Sequence, residues 1–406
     1  MASMLQYWRY SSTPLMQNAG EANHRAALPC ERFGIQQIRH IFPFASYRQP
    51  SMLTPHSSPL HPASHVVDYP ARDMTITVGA GLSIGELQRI LREENQQLPI
   101  DVADAAMTLG RIVADDVCGP RQFGYGTLRD YVIGIEAVDG RGRVFHAGGR
   151  VVKNVAGYDL CRLLVGSRGQ LGTITQITFK LKPLPPKQTL LVAGFRSLRD
   201  LESALDRLNV SATCPVILDV VGRSARDALL NDLVPDLAGM PNHSDAVALL
   251  VIGFEGPTTA CKWQSKTMQE ELHGTAAWVH EAVGPDATNR YCEHAQRASL
   301  PSPATAWMAR ITTLPSRVVA AVQTVQYAGY DVFGRAGNGV LFVSPCADSA
   351  GSTIPANEQQ GMSLLQSLVS DGVGSVDVLQ SVAARSTQSA PEVARISHKL
   401  RELLGA

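Results

Sequence analysis

The sequence predicts an α+β fold built from more than one domain, and three observations support this. The chain has 406 residues, which is long for a single hydrophobic core. Its contents of 45% hydrophobic and 18% charged residues are typical of a globular protein. Short segments of alternating apolar residues are separated by helical segments of about twelve residues, a pattern that favours strands and helices in β-α-β blocks.

Composition and charge exclude several classes of protein. Lys plus Arg and Asp plus Glu both number 36, so the chain has no excess of positive charge to attract a nucleic acid. The seven cysteines are isolated, which predicts reduced thiols and no zinc or iron–sulfur cluster held by this chain. There is no apolar run of about 20 residues and no signal peptide, so we expect a cytoplasmic protein without a transmembrane segment.

The N-terminal part divides into a tail and an ordered region. Residues 1–65 lack a sustained period and are rich in Pro, Ser and His, which predicts a poorly ordered tail. From Val66 onward the pattern becomes regular. Alternating apolar residues at 74–78 predict a strand, and Ser83 with Glu86 forms the S-x-x-E signature of a helix start.

A glycine-rich region and a hairpin follow. Residues 108–126 are rich in glycine and predict irregular backbone, whereas residues 132–138 and 143–146 alternate around an Asp-Gly turn and predict a hairpin. Three prolines in 182–187 predict a stiff linker. We therefore expect one domain at 66–186 and an α+β domain at 187–406, whose antiparallel sheet carries helices on one face.

Two segments are candidates for binding a charged group. Thr108 to Gly126 and Gly166 to Thr175 contain repeated glycines, and bare main-chain amides can form a concave site for phosphate. A pyrophosphate-bearing cofactor and ligand-free tight turns both remain open at this point. The sequence contains neither G-x-x-x-x-G-K-[ST] nor a Rossmann G-x-G-x-x-G, which disfavours a kinase or a Rossmann dehydrogenase.

Charged residues in this region offer weaker signals. Arg121, Arg129 and Lys153 are cations that can hold a carboxylate or phosphate. For Arg121 and Arg129 the favoured interpretation is a solvated surface charge. The histidines are isolated, and no catalytic base is assigned.

Several motifs in this region resemble a known family. The stretches "TLG", "GPRQFGYGTLRDYVIG", "GGRVVKNVAGYDLCRLLVGS" and "LGTITQITFKLKP" are similar, in order and spacing, to the E subunits of bacterial glycolate oxidase. Those subunits are flavoproteins with a PCMH-type FAD domain, like vanillyl-alcohol oxidase. The resemblance implies a PCMH-type FAD-binding domain of two α/β lobes at 66–186, followed by a ferredoxin-like α+β cap domain at 187–406.

The resemblance also implies which residues contact FAD. The family's T-[IL]-G-G turn corresponds to Thr108, Leu109 and Gly110, and the loop that follows along the cofactor corresponds to Gly119, Tyr125, Gly126 and Asp130. The V-K-N-x-A-G-Y segment corresponds to Lys153, Asn154, Gly157 and Tyr158. The second glycine-rich turn corresponds to Gly166, Ser167, Gly172, Thr173, Ile174 and Thr175.

The chain departs from the family pattern in places that matter for FAD. The family's first phosphate loop, R-G-G-G-S-K, has no counterpart in residues 1–65, so either this is a degenerate paralogue or the reading frame shifts upstream of Val66. Arg111 replaces the second glycine of T-L-G-G. Asp116 replaces an expected asparagine, which would place a carboxylate near a diphosphate.

Two functions follow from this resemblance. The first is the FAD-binding subunit of a glycolate oxidase-like complex, which oxidises a 2-hydroxy acid by hydride transfer to flavin. Such a subunit would assemble with a second flavoprotein subunit and an iron–sulfur subunit. The alternative is a non-catalytic structural or partner-binding subunit with weak or lost flavin binding.

Overall fold

The computed structural model describes residues 62–149, 159–234, 245–282, 286–300, 307–345, 358–369 and 374–380. Within these residues it contains two large antiparallel sheets, each covered by helices. The mixture of helices and antiparallel sheets confirms the predicted α+β class. No helix in the described part of the chain has the length and apolar character needed to cross a bilayer.

The first sheet has five strands in the spatial order β1-β2-β6-β4-β5. The strands are β1 Val66–Asp68, β2 Thr75–Gly79, β4 Val132–Val138, β5 Val144–Gly148 and β6 Thr173–Lys180. A separate pair of two-residue strands consists of β3 Gln96–Gln97 and β7 Lys182–Pro183. The predicted strand at 74–78 and the hairpin around residue 140 are confirmed.

Helices α1 Ile84–Glu93, α2 Leu109–Asp115, α3 Gln122–Tyr125 and α4 Leu160–Leu164 accompany the first sheet. The start of α1 follows the predicted signature in part. Ser83 Oγ accepts a hydrogen bond from the Glu86 amide, whereas the Glu86 carboxylate pairs with Arg89 instead of reaching back to the helix start.

The core of this unit follows from the alternation in β2 and β6. Ile76, Val78, Ile177 and Phe179 are completely buried. The chain ahead of β1 also contacts the sheet. The amide of Gly79 donates to the His65 carbonyl, so the last residues of the predicted tail lie along the end of β2.

The second sheet has eight strands in the spatial order β11-β8-β10-β9-β13-β14-β12-β15. The strands are β8 Lys187–Phe195, β9 Ile217–Val221, β10 Ala248–Gly256, β11 Trp278–Glu281, β12 Met308–Thr312, β13 Tyr330–Arg335, β14 Val340–Pro345 and β15 Ser375–Gln380. All of its pairings are antiparallel.

Helices cover both faces of this second sheet, so the expectation of helices on one face was wrong. The helices are α5 Leu198–Leu208, α6 Arg223–Leu233, α7 Thr258–Leu272, α8 Ala287–Ala298, α9 Val318–Tyr327 and α10 Glu358–Leu368. Helices α5, α7, α9 and α10 contribute to the core on one face, and α6 and α8 to the core on the other. Sequence patterning missed α6 and α8 because their polar residues obscure the apolar period.

Candidate functional site

The structure brings the two glycine-rich segments together at helix α2. Ala80 connects them: its amide donates to the Thr175 carbonyl, and its carbonyl accepts from the Gly110 amide. At the other end of α2, the amides of Gly166 and Arg168 donate to the Val113 and Ala114 carbonyls. The segments predicted to contact a cofactor therefore adjoin each other, although they are separated by about 40 residues of sequence.

Several of the predicted glycines are explained by contacts within the chain. A Cβ at Gly110 would lie 3.0 Å from the Ala80 methyl, and one at Gly119 would lie 2.5 Å from the Asp101 carboxylate. Gly172 has φ of +151°, and a Cβ there would lie 2.7 Å from the Val138 carbonyl oxygen. Gly166 has φ of +80°, in the left-handed region that favours glycine. Close packing and turn geometry thus account for these residues, whether or not a ligand is bound.

Main-chain amides in these turns are partly committed to the protein itself. Leu109 and Gly110 donate to the Leu82 and Ala80 carbonyls, at 2.9 and 2.8 Å. Hydroxyl groups are more available for a ligand. Thr108 and Thr173 are exposed, and Ser167 Oγ is buried without a hydrogen-bond partner among the described residues. An unpartnered buried hydroxyl is costly, so a ligand at Ser167 would remove that cost.

Three other predicted contact residues have structural roles. The Asp130 carboxylate accepts from the Thr127 amide at 2.8 Å and from its hydroxyl at 3.0 Å. The Tyr125 hydroxyl donates to Glu255 of β10 at 2.7 Å, and burial together with that carboxylate raises the pKa of Tyr125. Thr175 donates to Glu136 at 2.6 Å.

The remaining predicted residues fall into two groups. Leu109 and Ile174 are buried in the core, and Gly126 has φ of +91° at the end of α3. Lys153, Asn154, Gly157 and Tyr158 lie outside the described residues.

The charged residues that depart from the family pattern are partly neutralised. Asp116 ends α2 in the left-handed region with φ of 51°, and its carboxylate lies 3.5 Å from Arg129 Nε. Arg111 is exposed and pairs with Asp115 at 3.3 Å. A diphosphate near α2 would therefore meet an acidic side chain whose charge is offset by Arg129.

Arg121 is buried at the contact between the two sheets, so the expectation of a solvated surface charge was wrong. Its guanidinium lies 2.5 Å from Asp101 and 2.6 Å from Glu255, whose side chain is fully buried. A third nitrogen, Nη2, donates to Asn289 of α8 at 2.6 Å. Five donors in a rigid plane suit this arrangement, which lysine could not reproduce.

Further polar contacts join α8 and β13 to the first unit. The Gln296 side chain donates to the carbonyls of Asp101 and Cys118, and Arg335 donates to the Cys118 carbonyl at 2.9 Å. Sequence analysis did not identify Asp101, Gln296 or Arg335. No local motif marks them, because each partner is distant in sequence.

A buried acid lies behind this contact. Asp219, in the middle of β9, is completely buried and accepts a hydrogen bond from the Tyr291 hydroxyl at 2.7 Å. Its second oxygen has no hydrogen-bond partner among the described residues. Burial raises the pKa of Asp219 to about 7, an effect opposed by the nearby Arg335 and by the Tyr291 hydrogen bond.

A cleft of about 1010 Å³ opens beside the Arg121 contact. One wall consists of the end of α1 and the loop up to Val102, and the opposite wall is the start of α8. The linker from Leu184 to Gln188 closes one side. Arg121 and Asp101 lie at its floor, next to the predicted contact residue Gly119.

Comparison with known proteins identifies the class. The family model described as "FAD binding domain" matches residues 60–148, which contain the first glycine-rich segment and the hairpin. The chain is a flavoprotein with a PCMH-type FAD-binding domain, and FAD is its cofactor.

Curated relatives narrow the class further. The chain is 30% identical over 202 residues to glycolate oxidase subunit GlcD of Bacillus subtilis, covering 48% of this chain and 40% of the relative. It is 38% identical over 122 residues to glycolate oxidase subunit GlcE of Escherichia coli, covering 30% and 35%. It is 36% identical over 122 residues to D-lactate dehydrogenase of Archaeoglobus fulgidus, covering 30% and 28%. The chain is similar to subunits of glycolate oxidase and to D-lactate dehydrogenase, and it spans less than half the length of each of these relatives.

Solved structures agree on the fold. A structure of alkyldihydroxyacetonephosphate synthase superposes with a TM-score of 0.55 and 18% identity, covering 84% of this chain and 65% of the other. At that identity the likeness concerns the fold alone. It agrees with the α+β fold predicted from the sequence.

The residues present fit FAD through hydroxyls more than through amides. The adjacent turns leave Thr108 and Thr173 exposed, and Ser167 Oγ lacks a partner among the described residues. These three hydroxyls can donate to phosphate or flavin oxygens, whereas the amides of Leu109 and Gly110 are already used.

Proposed function

We propose that this chain is an FAD-dependent oxidoreductase that oxidises a 2-hydroxy acid, as the flavin-binding subunit of a glycolate oxidase-like complex. One observation carries the proposal: the two glycine-rich turns adjoin each other around Ala80, and the first of these turns lies within the segment that matches the FAD-binding family. The relatives named as subunits of glycolate oxidase and as D-lactate dehydrogenase support a 2-hydroxy acid as substrate.

In this proposal the protein binds and positions, and the cofactor supplies the redox chemistry. FAD, when bound, would supply the two-electron acceptor needed to oxidise a 2-hydroxy acid to a 2-oxo acid. Thr108, Ser167 and Thr173 would hold the cofactor through their hydroxyls. The sites predicted at Lys153, Asn154, Gly157 and Tyr158 remain part of the proposal.

Partners and domain limits belong to the same proposal. The matches to GlcD and GlcE, two differently named subunits of glycolate oxidase, support assembly with a second flavoprotein subunit, and we propose an iron–sulfur subunit as the electron acceptor. We place the end of the FAD domain at residue 186, since β8 of the second sheet begins at Lys187. The segment 187–406 would then form the cap over the cofactor.

A structural subunit with weak flavin binding is the second candidate. The committed amides of Leu109 and Gly110 and the carboxylate of Asp116 support it, because each reduces the attraction of α2 for a diphosphate. The two candidates differ in one measurable quantity, which is the amount of FAD bound per chain.

The test is the visible spectrum of the purified full chain, followed by quantification of FAD released on denaturation. We expect the two absorption bands of oxidised flavin and close to one FAD per chain. Ser167→Ala should lower this occupancy, while Ser203→Ala in α5 serves as a matched control without effect. A folded, colourless protein that takes up no added FAD would reject the oxidoreductase and support the structural subunit.

Arg111→Gly provides a second measurement on the same site. It restores the glycine of the family motif at an exposed position. We expect the chain freed of its flavin to bind added FAD more tightly in this variant than in wild type. An unchanged affinity for FAD would show that Arg111 does not limit flavin binding.

A further inference from the structure

The cleft at the contact between the two sheets is much larger than a small hydroxy acid. Its volume of about 1010 Å³ is at the upper end of the range of roughly 300 to 1,000 Å³ seen for small-molecule sites. A two-carbon or three-carbon acid would fill a minor part of this space and leave most of the polar lining in contact with water. The dimensions therefore favour a longer ligand.

Two amide side chains at the cleft are fixed at one end. Gln188 Nε2 donates to Glu255 at 3.0 Å, and Asn289 Oδ1 accepts from Arg121 at 2.6 Å. Each amide is thereby oriented before a ligand arrives, with the Gln188 oxygen and the Asn289 nitrogen as the remaining groups. A hydroxyl group both donates and accepts, so it matches an oriented acceptor and an oriented donor.

The charged groups of the lining suggest an anion with hydroxyl groups. Arg92 and Lys187 line the cleft, are exposed, and make no side-chain hydrogen bond or ion pair with another described residue. Two such cations suit a carboxylate. Asp286 also lines the cleft without an ion pair among the described residues, and a carboxylate accepts hydrogen bonds from hydroxyls.

The other charges at the cleft already have partners. Glu293 lies 3.6 Å from Arg297, and Arg290 lies 3.7 Å from Asp232. Arg121 is balanced by Asp101 and Glu255.

We propose that this cleft binds a polyhydroxylated carboxylate, that is, an open-chain sugar acid. Arg92 and Lys187 hold its carboxylate, and Gln188, Asn289 and Asp286 bind its hydroxyls. Such an acid carries the 2-hydroxy acid group, so this inference rests on the proposed function and names its substrate class. The floor of the cleft adjoins the predicted cofactor segment, because Asp101 contacts Gly119 and Glu255 binds Tyr125.

Isothermal titration calorimetry of the purified full chain tests the proposal, because it measures binding without turnover. The probes are gluconate, sorbitol and glycolate, which separate the contribution of the carboxylate from that of the hydroxyls. We expect gluconate to bind at least about tenfold more tightly than either sorbitol or glycolate. Glycolate binding as tightly as gluconate, or no gluconate binding by a folded chain, would overturn the proposal.

Variants locate the binding in the cleft. Lys187→Gln and Arg92→Gln should each weaken gluconate about tenfold and leave sorbitol unchanged, whereas Asp286→Asn should weaken both. Arg89→Gln is the matched control, since Arg89 lies on the same helix, pairs with Glu86 and Glu93, and does not line the cleft. An equal loss in Arg89→Gln would contradict the assignment.

The FAD measurement keeps this inference separate from the proposed function. Gluconate binding by a chain that takes up no FAD would support the sugar-acid cleft and reject the proposed oxidation. FAD binding without gluconate binding would reject the sugar-acid cleft and leave the flavoprotein function in place.

Discussion

The buried carboxyl of Asp219 should make the stability of this protein depend on pH in a way that one substitution removes. Asp219 is fully buried in β9, and burial raises its pKa to about 7, whereas an aspartate in an unfolded chain has a pKa of about 3.9. The groups that face it are the Tyr291 hydroxyl and the charges of Arg335 and Asp101. The folded state therefore holds a proton that the unfolded state releases between these two pKa values.

The sign and size of the effect follow from this difference. Because the pKa is raised on folding, the contribution to stability is fully present below about pH 4 and is lost as the pH rises through about 7. A difference of about three pKa units corresponds to about 4 kcal/mol. Asp219→Asn keeps the shape of the side chain and cannot ionise, so this component disappears in the variant.

Urea unfolding at pH 5 and pH 8, followed by tryptophan fluorescence, measures the free energy of unfolding of both proteins. We expect wild type to lose about 3 kcal/mol more than Asp219→Asn between these pH values. Asp206→Asn, at an exposed position of α5, is the control and should follow wild type. Parallel pH profiles for wild type and Asp219→Asn would refute the reasoning.

Three further predictions test other features. Arg121→Met leaves Asp101 and Glu255 buried without their cation. In urea titrations it should lower the free energy of unfolding by about 3 to 5 kcal/mol, and a loss below about 1 kcal/mol would contradict the buried network. Gly166→Ala places a residue with a Cβ at a backbone φ of +80°, which should lower the free energy of unfolding by about 1 to 2 kcal/mol and therefore the melting temperature. An unchanged melting temperature would contradict that turn geometry. Iodoacetamide should label the exposed Cys214 well before Cys292, because burial raises the thiol pKa of Cys292. Peptide mapping measures the two rates, and comparable labelling of both cysteines would contradict the packing of α8.

Much of the fold was predictable because its signals are local. Alternating residues at 74–78 and the Asp-Gly hairpin predicted strands that the structure contains. Ser83 was correctly predicted at the start of α1, where its hydroxyl accepts from the Glu86 amide at 3.3 Å. Helix α8 was missed, since its apolar positions alternate with Arg, Glu and Gln. Its burial depends on β9 and on the first unit, which no local pattern reveals.

The candidate site was predictable only in outline. The glycine-rich motifs placed two segments near a cofactor, and the structure brings those segments together at Ala80. For individual glycines that the sequence analysis assigned to ligand contact, the structure also gives a packing reason. Gly110 and Gly119 are required by Ala80 and Asp101, so a motif that indicates a cofactor also serves to pack the chain.

The sequence by itself determined the class of this protein, because the α+β pattern and the ordered glycine motifs are properties of short segments. Only the tertiary structure decided which charges are buried and what they contact. Arg121 and Glu255 are 134 residues apart in the chain, and their ion pair exists only when the two sheets meet. The same holds for the raised pKa of Asp219 and for the cleft beside Arg121, since burial and cavity shape arise from neighbours that are distant in sequence.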